Sequence, residues 1–176
     1  MRKKVRKMMN RLSLERNKIY QGNLLLVNGD FPIMRFGEWD LMPADMHFPE
    51  ILMRHDAALA LQQVLIQIGS ADRIVPVSGY RSREEQTAIY RESLRENGEE
   101  FTGKYVALPG YSEHQSGLAI DLGLNQEEID FIRPDFPYEG ICGDFRKAAP
   151  DYGFIQRYAK GKEKITRIFE EPWHFR

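Results

Sequence analysis

Two short stretches hold side chains that could bind a metal and move a proton beside it. Residues Glu170 to Arg176 contain Glu171 and His174, and residues Ser112 to Asp121 contain His114 and Asp121. A hydrolytic zinc ion needs three protein ligands, an open fourth position for water and a carboxylate to take the proton. His114, Asp121 and His174 supply candidate ligands, and Glu171 a candidate base. The helical His-Glu-x-x-His arrangement is absent, so any site must be assembled from separate elements. His47 and His55 have no ligand-like context and read as ordinary polar residues.

The local sequence limits how these residues are held. His114 and Asp121 would share a face on a helix, but Gly117 and the alternation after it argue against one. A loop at 112–117 entering a strand at Leu118–Leu122 is expected instead. Ile120 and Leu122 would then pack into the core while Asp121 points to the other side. A carboxylate on an apolar strand is costly unless it is paired or metal-bound. Pro172 pushes Glu171 towards an extended conformation. In an extended chain Glu171 and His174 would point to different faces, with the Glu reaching the metal's water rather than the metal.

The remaining elements follow from periodicity and turn signals. Leu24–Val27 reads as a strand ending in the turn at Asn28-Gly29, and 30–50 as a structured loop rich in Pro, Gly and aromatics. Residues 51–68 carry apolar residues at helical spacing, Arg73–Ser78 reads as a strand, and Arg83–Asn97 as a charged helix capped by Gly98. Phe145–Tyr152 reads as a helix stopped near Gly153. Residues 154–158 and 165–169 read as a hairpin around a Lys/Gly-rich turn, and Trp173–Phe175 as a strand edge. No regular βαβ rhythm exists, so an α+β fold is expected.

Bulk properties are those of one globular domain. The 176 residues are 42% hydrophobic and 29% charged, enough to bury a core. No apolar run reaches the roughly 20 residues that span a bilayer, so no integral membrane segment is expected. Residues 1–18 are basic, net +7, which leaves the rest near −8. An acidic body argues against nucleic acid as the main partner, and a solvated basic arm at 1–19 preceding a domain at 20–176 is the expected organisation. No apolar stretch follows the basic start, so it does not read as a secretory signal. The single cysteine, Cys142, excludes an intramolecular disulfide and fits a cytoplasmic setting.

Three blocks, Ser78-Gly-Tyr-Arg-Ser-Arg-Glu-Glu-Gln86, Ser112-Glu-His-Gln-Ser-Gly-Leu-Ala-Ile-Asp121 and Glu171-Pro-Trp-His174, resemble in order and spacing the zinc D,D-peptidases of the VanY type. Within that family the chain is most similar to the VanXY branch of bifunctional D,D-dipeptidase/D,D-carboxypeptidases. The likeness runs from about Tyr20 to the end. It implies a compact α+β fold, shared with Hedgehog-like proteins, in which a small antiparallel sheet flanked by helices carries Zn2+. It further implies that His114, Asp121 and His174 are the zinc ligands, Glu171 the base, and Arg81 the arginine near the scissile carbonyl. Gln86 and Ser112 would contact the substrate's terminal residue, and Trp173 would shape the pocket wall.

The implied substrates are D-Ala-D-Ala and muramyl-pentapeptide precursors, whose trimming removes the vancomycin target. An acidic residue among Glu127–Glu139 would meet a free substrate ammonium. Competing readings are an L,D-carboxypeptidase or peptidoglycan endopeptidase on the same scaffold, and a non-catalytic zinc-containing module that binds precursors. Two departures from the family stand out. The family continues past His-Phe-Arg with Tyr-Val-Gly and a further helical segment, whereas this sequence stops at Arg176, close to the ligand His174. Where the family has Thr-Gly-Ile, this chain has Thr166-Arg167-Ile168. If that glycine takes a positive φ, Arg167 would carry strain.

Overall fold

The computed structural model describes residues 18–34 and 39–176, so all but the end of the expected basic arm lies outside the described residues. Two small antiparallel sheets and the helices packed on them make an α+β fold. The first sheet is a hairpin of β1 (Leu41–Asp45) and β2 (Phe48–Arg54). The second has three strands, β3 (Ile74–Ser78), β4 (Ile120–Leu124) and β5 (His174–Phe175), with β4 in the centre. Pro76 is tolerated because β3 is an edge strand with one unpaired side.

Helix α1 (His55–Gln67) follows β2 directly and buries Ala58, Leu61, Val64 and Leu65. These meet Ile120 and Leu122 of β4 and Phe145 of α3 (Gly140–Ala148) in one core. Phe136, Phe145 and Phe175 pack edge to face, with ring centroids 4.9–5.9 Å apart. Arg146 lies 4.2 Å over the Tyr138 ring and donates to the carbonyls of Phe136 and Pro172, each at 2.7 Å. That clamp anchors the backbone just before Trp173 and His174.

Helix α2 (Arg83–Tyr105) begins with a reciprocal capping box. Ser82 Oγ accepts from Glu85 N at 3.1 Å, and the Glu85 carboxylate accepts from Ser82 N at 2.7 Å. Gly98, at φ 77° and ψ 175°, breaks the helix where a C-cap was expected, and a second segment continues to Tyr105. The buried Ser93 and Thr102 hydroxyls join across that break at 2.7 Å.

Five expectations need correction. The helix expected over Phe145–Tyr152 starts earlier, at Gly140, and ends at Ala148, followed by a 310 turn at Ala149–Tyr152. Leu24–Val27 forms no strand; Leu25 and Val27 instead pack with Ile33 and Leu118 in a small separate cluster. The 30–50 stretch contains β1 and the start of β2, masked in sequence by Pro43 and Pro49. The helix expected from 51 starts at His55, because Ile51–Arg54 complete β2. The hairpin of 154–158 with 165–169 does not form. Ile155 and Arg157 instead bond to Arg176 and His174, covering the outer edge of β5, and Glu163–Thr166 makes one helical turn, α4.

Arg167 ends that turn in the left-handed region, at φ 66° and ψ 6°. The left-handed backbone expected to carry strain at this position is therefore present; the Arg167 side chain packs over Gly29 and makes an exposed 3.5 Å ion pair with Asp30. An Arg167→Gly variant is expected to be more stable by about 1 kcal/mol, since a non-glycine residue there costs roughly 1–2 kcal/mol. Thermal unfolding checks this, with Arg167→Ala as control. Alanine keeps the strain, so equal gains from glycine and alanine would rule out the backbone as the cause.

Candidate metal and catalytic site

Each ligand candidate owes its position to a different local device. His114 sits in a 310 turn, Glu113–Ser116, that ends at Gly117 with φ 68°. A Cβ at Gly117 would lie 2.9 Å from Arg54 Cγ, so β2 passes close behind this turn. Asp121 projects from β4 between Ile120 and Leu122, both fully buried, as the alternation anticipated. His174 faces Asp121 across the β4–β5 ladder. Despite its closeness to Arg176 it is only 1% exposed.

The run from Glu171 to His174 is not extended as expected. His174 N bonds to Glu171 O at 3.4 Å, closing a turn with Pro172 and Trp173 at its centre. Pro172 occupies the turn position that its fixed φ favours. The reversal brings Glu171 Oε2 within 3.8 Å of His174 Nδ1 instead of sending the two side chains to opposite faces.

The donor atoms of His114, Asp121 and His174 all lie within 4.8 Å of one another. His114 Nε2 is 3.2 Å from Asp121 Oδ2, and His174 Nδ1 is 2.8 Å from Asp121 Oδ1. Four-coordinate zinc, with ligands at roughly 2.0–2.2 Å, needs donors roughly 3.3–3.6 Å apart, a spacing that these separations bracket. The outward nitrogens are also satisfied. His114 Nδ1 is 2.7 Å from Gly79 O, and His174 Nε2 is 3.2 Å from Glu113 Oε2. Second partners of this kind are what metal-bound imidazoles require.

Arg81 is locked beside the cluster. It donates to Ser78 Oγ at 2.9 Å, to Gln86 Oε1 at 3.4 Å and to Asp121 Oδ2 at 3.3 Å. Gln86 is buried and donates in turn to Ala107 O at 2.9 Å. Arg81, Gln86, Ser112, Trp173, Glu171 and the three ligand candidates all line one cleft of about 340 Å³. From 127–139 only Phe131 and Ile132 reach this cleft. The carboxylates on its far wall are Glu92 and Glu96 of α2, so the expected acidic candidates are not the ones the fold presents.

Sequence reasoning missed two residues here. Glu113 is fully buried and contacts His174, Arg157 and Arg176. Its place next to His114 in the motif was the available signal. Tyr158 packs its ring against that of His174, centroids 4.7 Å apart and tilted by 43°, and holds φ 60°, a strained backbone at a site, but nothing in its local sequence marks it.

Burial and pairing set the protonation of this cluster. Burial raises the Glu171 carboxyl to about 8. Burial opposes charge on His174, but bonds to Asp121 and Glu113 outweigh it and hold the imidazole at about 9. Burial would also raise Glu113, yet the His174 bond and the two arginines bring it to about 2. Asp121 is held well below its ordinary value, with burial overcome by the two histidines. His114 is lowered, chiefly by burial and by Arg81.

Comparison with known proteins places this geometry among relatives. The sequence profile described as VanY: D-alanyl-D-alanine carboxypeptidase matches residues 50–176. The bifunctional D-Ala-D-Ala dipeptidase and D-Ala-D-Ala carboxypeptidase VanXYC of Enterococcus gallinarum is 39% identical over 155 residues, covering 87% of this chain and 82% of the relative. The crystal structure of the vancomycin resistance D,D-dipeptidase VanXYg, in complex with a D-Ala-D-Ala phosphinate analog, is similar at 64% identity and TM-score 0.89. That match covers 93% of this chain, and the chain spans 65% of that solved chain. The LdcB LD-carboxypeptidase is similar at 31% identity and TM-score 0.69, covering 87% of this chain and 75% of its own.

These shifts give the metal-free protein a defined pH profile. Glu113 is depressed from 4.5, so its contribution is lost as pH falls towards 2. Glu171 and His174 are raised from 4.5 and 6.5, so the folded state holds extra protons up to about 8 and 9. Stability is therefore expected to fall from pH 6.5 to 9, by at most about 1.4 kcal/mol per pH unit for each proton. Thermal unfolding of chelator-treated protein checks this, and a rise over the same interval would contradict it.

Proposed function

Because the chain belongs to the VanY family of D-alanyl-D-alanine carboxypeptidases, we propose that it is a zinc-dependent D,D-peptidase. It would release D-Ala from muramyl-pentapeptide precursors and split free D-Ala-D-Ala. The observation that carries the reading is the convergence of two His and one Asp in a cleft that also holds a buried Glu and a fixed Arg. A carboxylate base and a cationic partner beside a three-ligand site suit hydrolysis and have no purpose in a simple binder. Cytoplasmic action on precursors completes the proposal, with 20–176 as the catalytic unit. Among the described residues, no helix is long and apolar enough to cross a membrane.

His114 Nε2, Asp121 and His174 Nδ1 would hold the zinc. When bound, the ion supplies Lewis acidity that acidifies water and polarises a carbonyl. Glu171 takes the proton of the attacking water and returns it to the leaving amine. Burial among the ligand candidates places this carboxylate within reach of that proton, and the charge of a bound dication would favour its ionised, proton-accepting form. Arg81 meets the charge that develops on the carbonyl oxygen, preorganised by its bonds to Ser78, Gln86 and Asp121. Ser112 and Gln86 hold the substrate's terminal residue, and Trp173 closes the wall beside it. Trimming these termini would remove the group that vancomycin recognises.

The likeness to LdcB supports a second reading, L,D-cleavage of a tetrapeptide. Incubation with D-Ala-D-Ala, with pentapeptide and with tetrapeptide separates the two by which substrate releases D-Ala. For the catalytic roles, Glu171→Ala is expected to keep zinc and lose turnover by about 10²–10⁴-fold. Arg81→Ala is expected to lose about 10²–10³-fold in kcat. Metal content and D-Ala release are measured together. Normal hydrolysis by the Glu171 variant would remove it from the mechanism, and pentapeptide binding without hydrolysis by the parent chain would favour a precursor-binding module.

A further inference from the structure

Glu113 adjoins the ligand candidate His114 in sequence but serves the other histidine. It is fully buried and lines no part of the catalytic cleft. It faces a separate cavity behind the cleft, together with Arg157 and Arg176. It therefore cannot touch a substrate held at the cleft, and any role in the reaction must pass through a neighbour.

Its two oxygens are divided between partners. Oε1 takes the arginines, with Arg176 Nη1 at 2.7 Å and Arg157 Nε at 3.0 Å. Oε2 takes His174 Nε2 at 3.2 Å. The imidazole thus spans two carboxylates, Glu113 on Nε2 and Asp121 on Nδ1. A neutral imidazole carries one N–H, and the nitrogen that binds a metal must be the bare one. With Nδ1 turned to the other donors, Nε2 must hold the proton and needs an acceptor.

We propose that Glu113 is a positioning residue that accepts the Nε2–H of His174. It thereby fixes the tautomer and rotation that present Nδ1 to the metal. Arg157 and Arg176 aim and neutralise the carboxylate, and both are tied to the N-terminal segment, donating to the carbonyls of Val27 and Leu25. His114 uses a backbone carbonyl, Gly79 O, for the same purpose, so the two histidine ligands are oriented by different devices. A role confined to balancing the arginines would leave Oε2 without need of the imidazole. This inference rests on the metal reading above, and its test separates the two.

Zinc affinity is measured by chelator competition on the folded full chain, with folding verified by thermal unfolding. Glu113→Gln, which keeps the shape and loses the charge, is expected to weaken zinc binding 10–100-fold. A purely structural Glu113 would lower the unfolding temperature and leave the affinity of the folded variant unchanged, which would overturn the proposal. Should the variant not fold, ¹⁵N-histidine NMR of the zinc-loaded parent chain decides. Zinc on Nδ1 with the proton on Nε2 of His174 supports the proposal, and zinc on Nε2 overturns it. Failure of the parent chain to take up zinc would overturn the metal reading itself, and this inference with it.

Discussion

The site depends on one buried negative charge. Asp121 stands on the central strand of the larger sheet, flanked by two fully buried aliphatic residues, where an isolated carboxylate would be severely destabilising. Two imidazoles and a guanidinium converge on it, from the turn before β4, from β5 and from the segment joining β3 to α2. Each comes from a different element, so burying this charge requires the tertiary fold to be assembled first. The same convergence creates the donor set. A protein that only sought stability would gain by replacing such a cluster with apolar residues, since buried ion pairs often lose to hydrophobic packing. Retaining it marks the cluster as a site where function overrides local economy.

The scaffold holds the cluster by close backbone approach more than by large side chains. Gly79 shows this most plainly. A Cβ there would lie 2.2 Å from Leu52 O, so only glycine lets the segment after β3 run against β2. Tyr80 N bonds to that same Leu52 carbonyl, and Arg54 N bonds to Gly117 O. The hairpin is thus fastened to both ends of the site's framework. Gly79 O, freed to face inward, is the acceptor that orients His114. A glycine that reads in sequence as a strand-ending turn is in the fold a coupling point between two sheets.

What the sequence made legible was which short, contiguous motifs carry side chains that meet. His114, Asp121, Glu171, His174, Arg81 and Gln86 share one cleft as expected, because their motifs lie at strand and turn ends whose geometry is local. The losses came where distant pairing decides the outcome. Leu24–Val27 has strand-like residues but joins neither sheet, because Leu25 and Val27 are buried instead against Ile33 and Leu118 in a separate cluster. Residues 154–158 looked ready for a hairpin, yet the free edge of β5 offered a better backbone match. The β1–β2 hairpin was hidden by prolines that an edge pairing accommodates. Glu113 went unread because the partner that gives it meaning, His174, lies 61 positions away.

His174 keeps its aim only if its own short strand is held against movement, because β5 is just two residues long. Here the last residues are held on both sides. β4 pairs with one edge of β5, and Ile155 and Arg157 bond to the other. Phe175 inserts its ring among Phe136 and Phe145, while Arg146 fixes Pro172 from below. Arg176 then reaches back to Glu113 and to the Leu25 carbonyl. Backbone pairing, aromatic packing and a buried ion pair converge on three consecutive residues, and each restrains a different motion: sliding along the ladder, lifting from the core and rotation of the imidazole. An imidazole that lost only one of these restraints would stay in place but lose its aim. The placement of residues 174 to 176 is therefore a product of contacts with residues 25 to 27, 113 and 155 to 157, and the geometry of the donor set is only as rigid as those contacts.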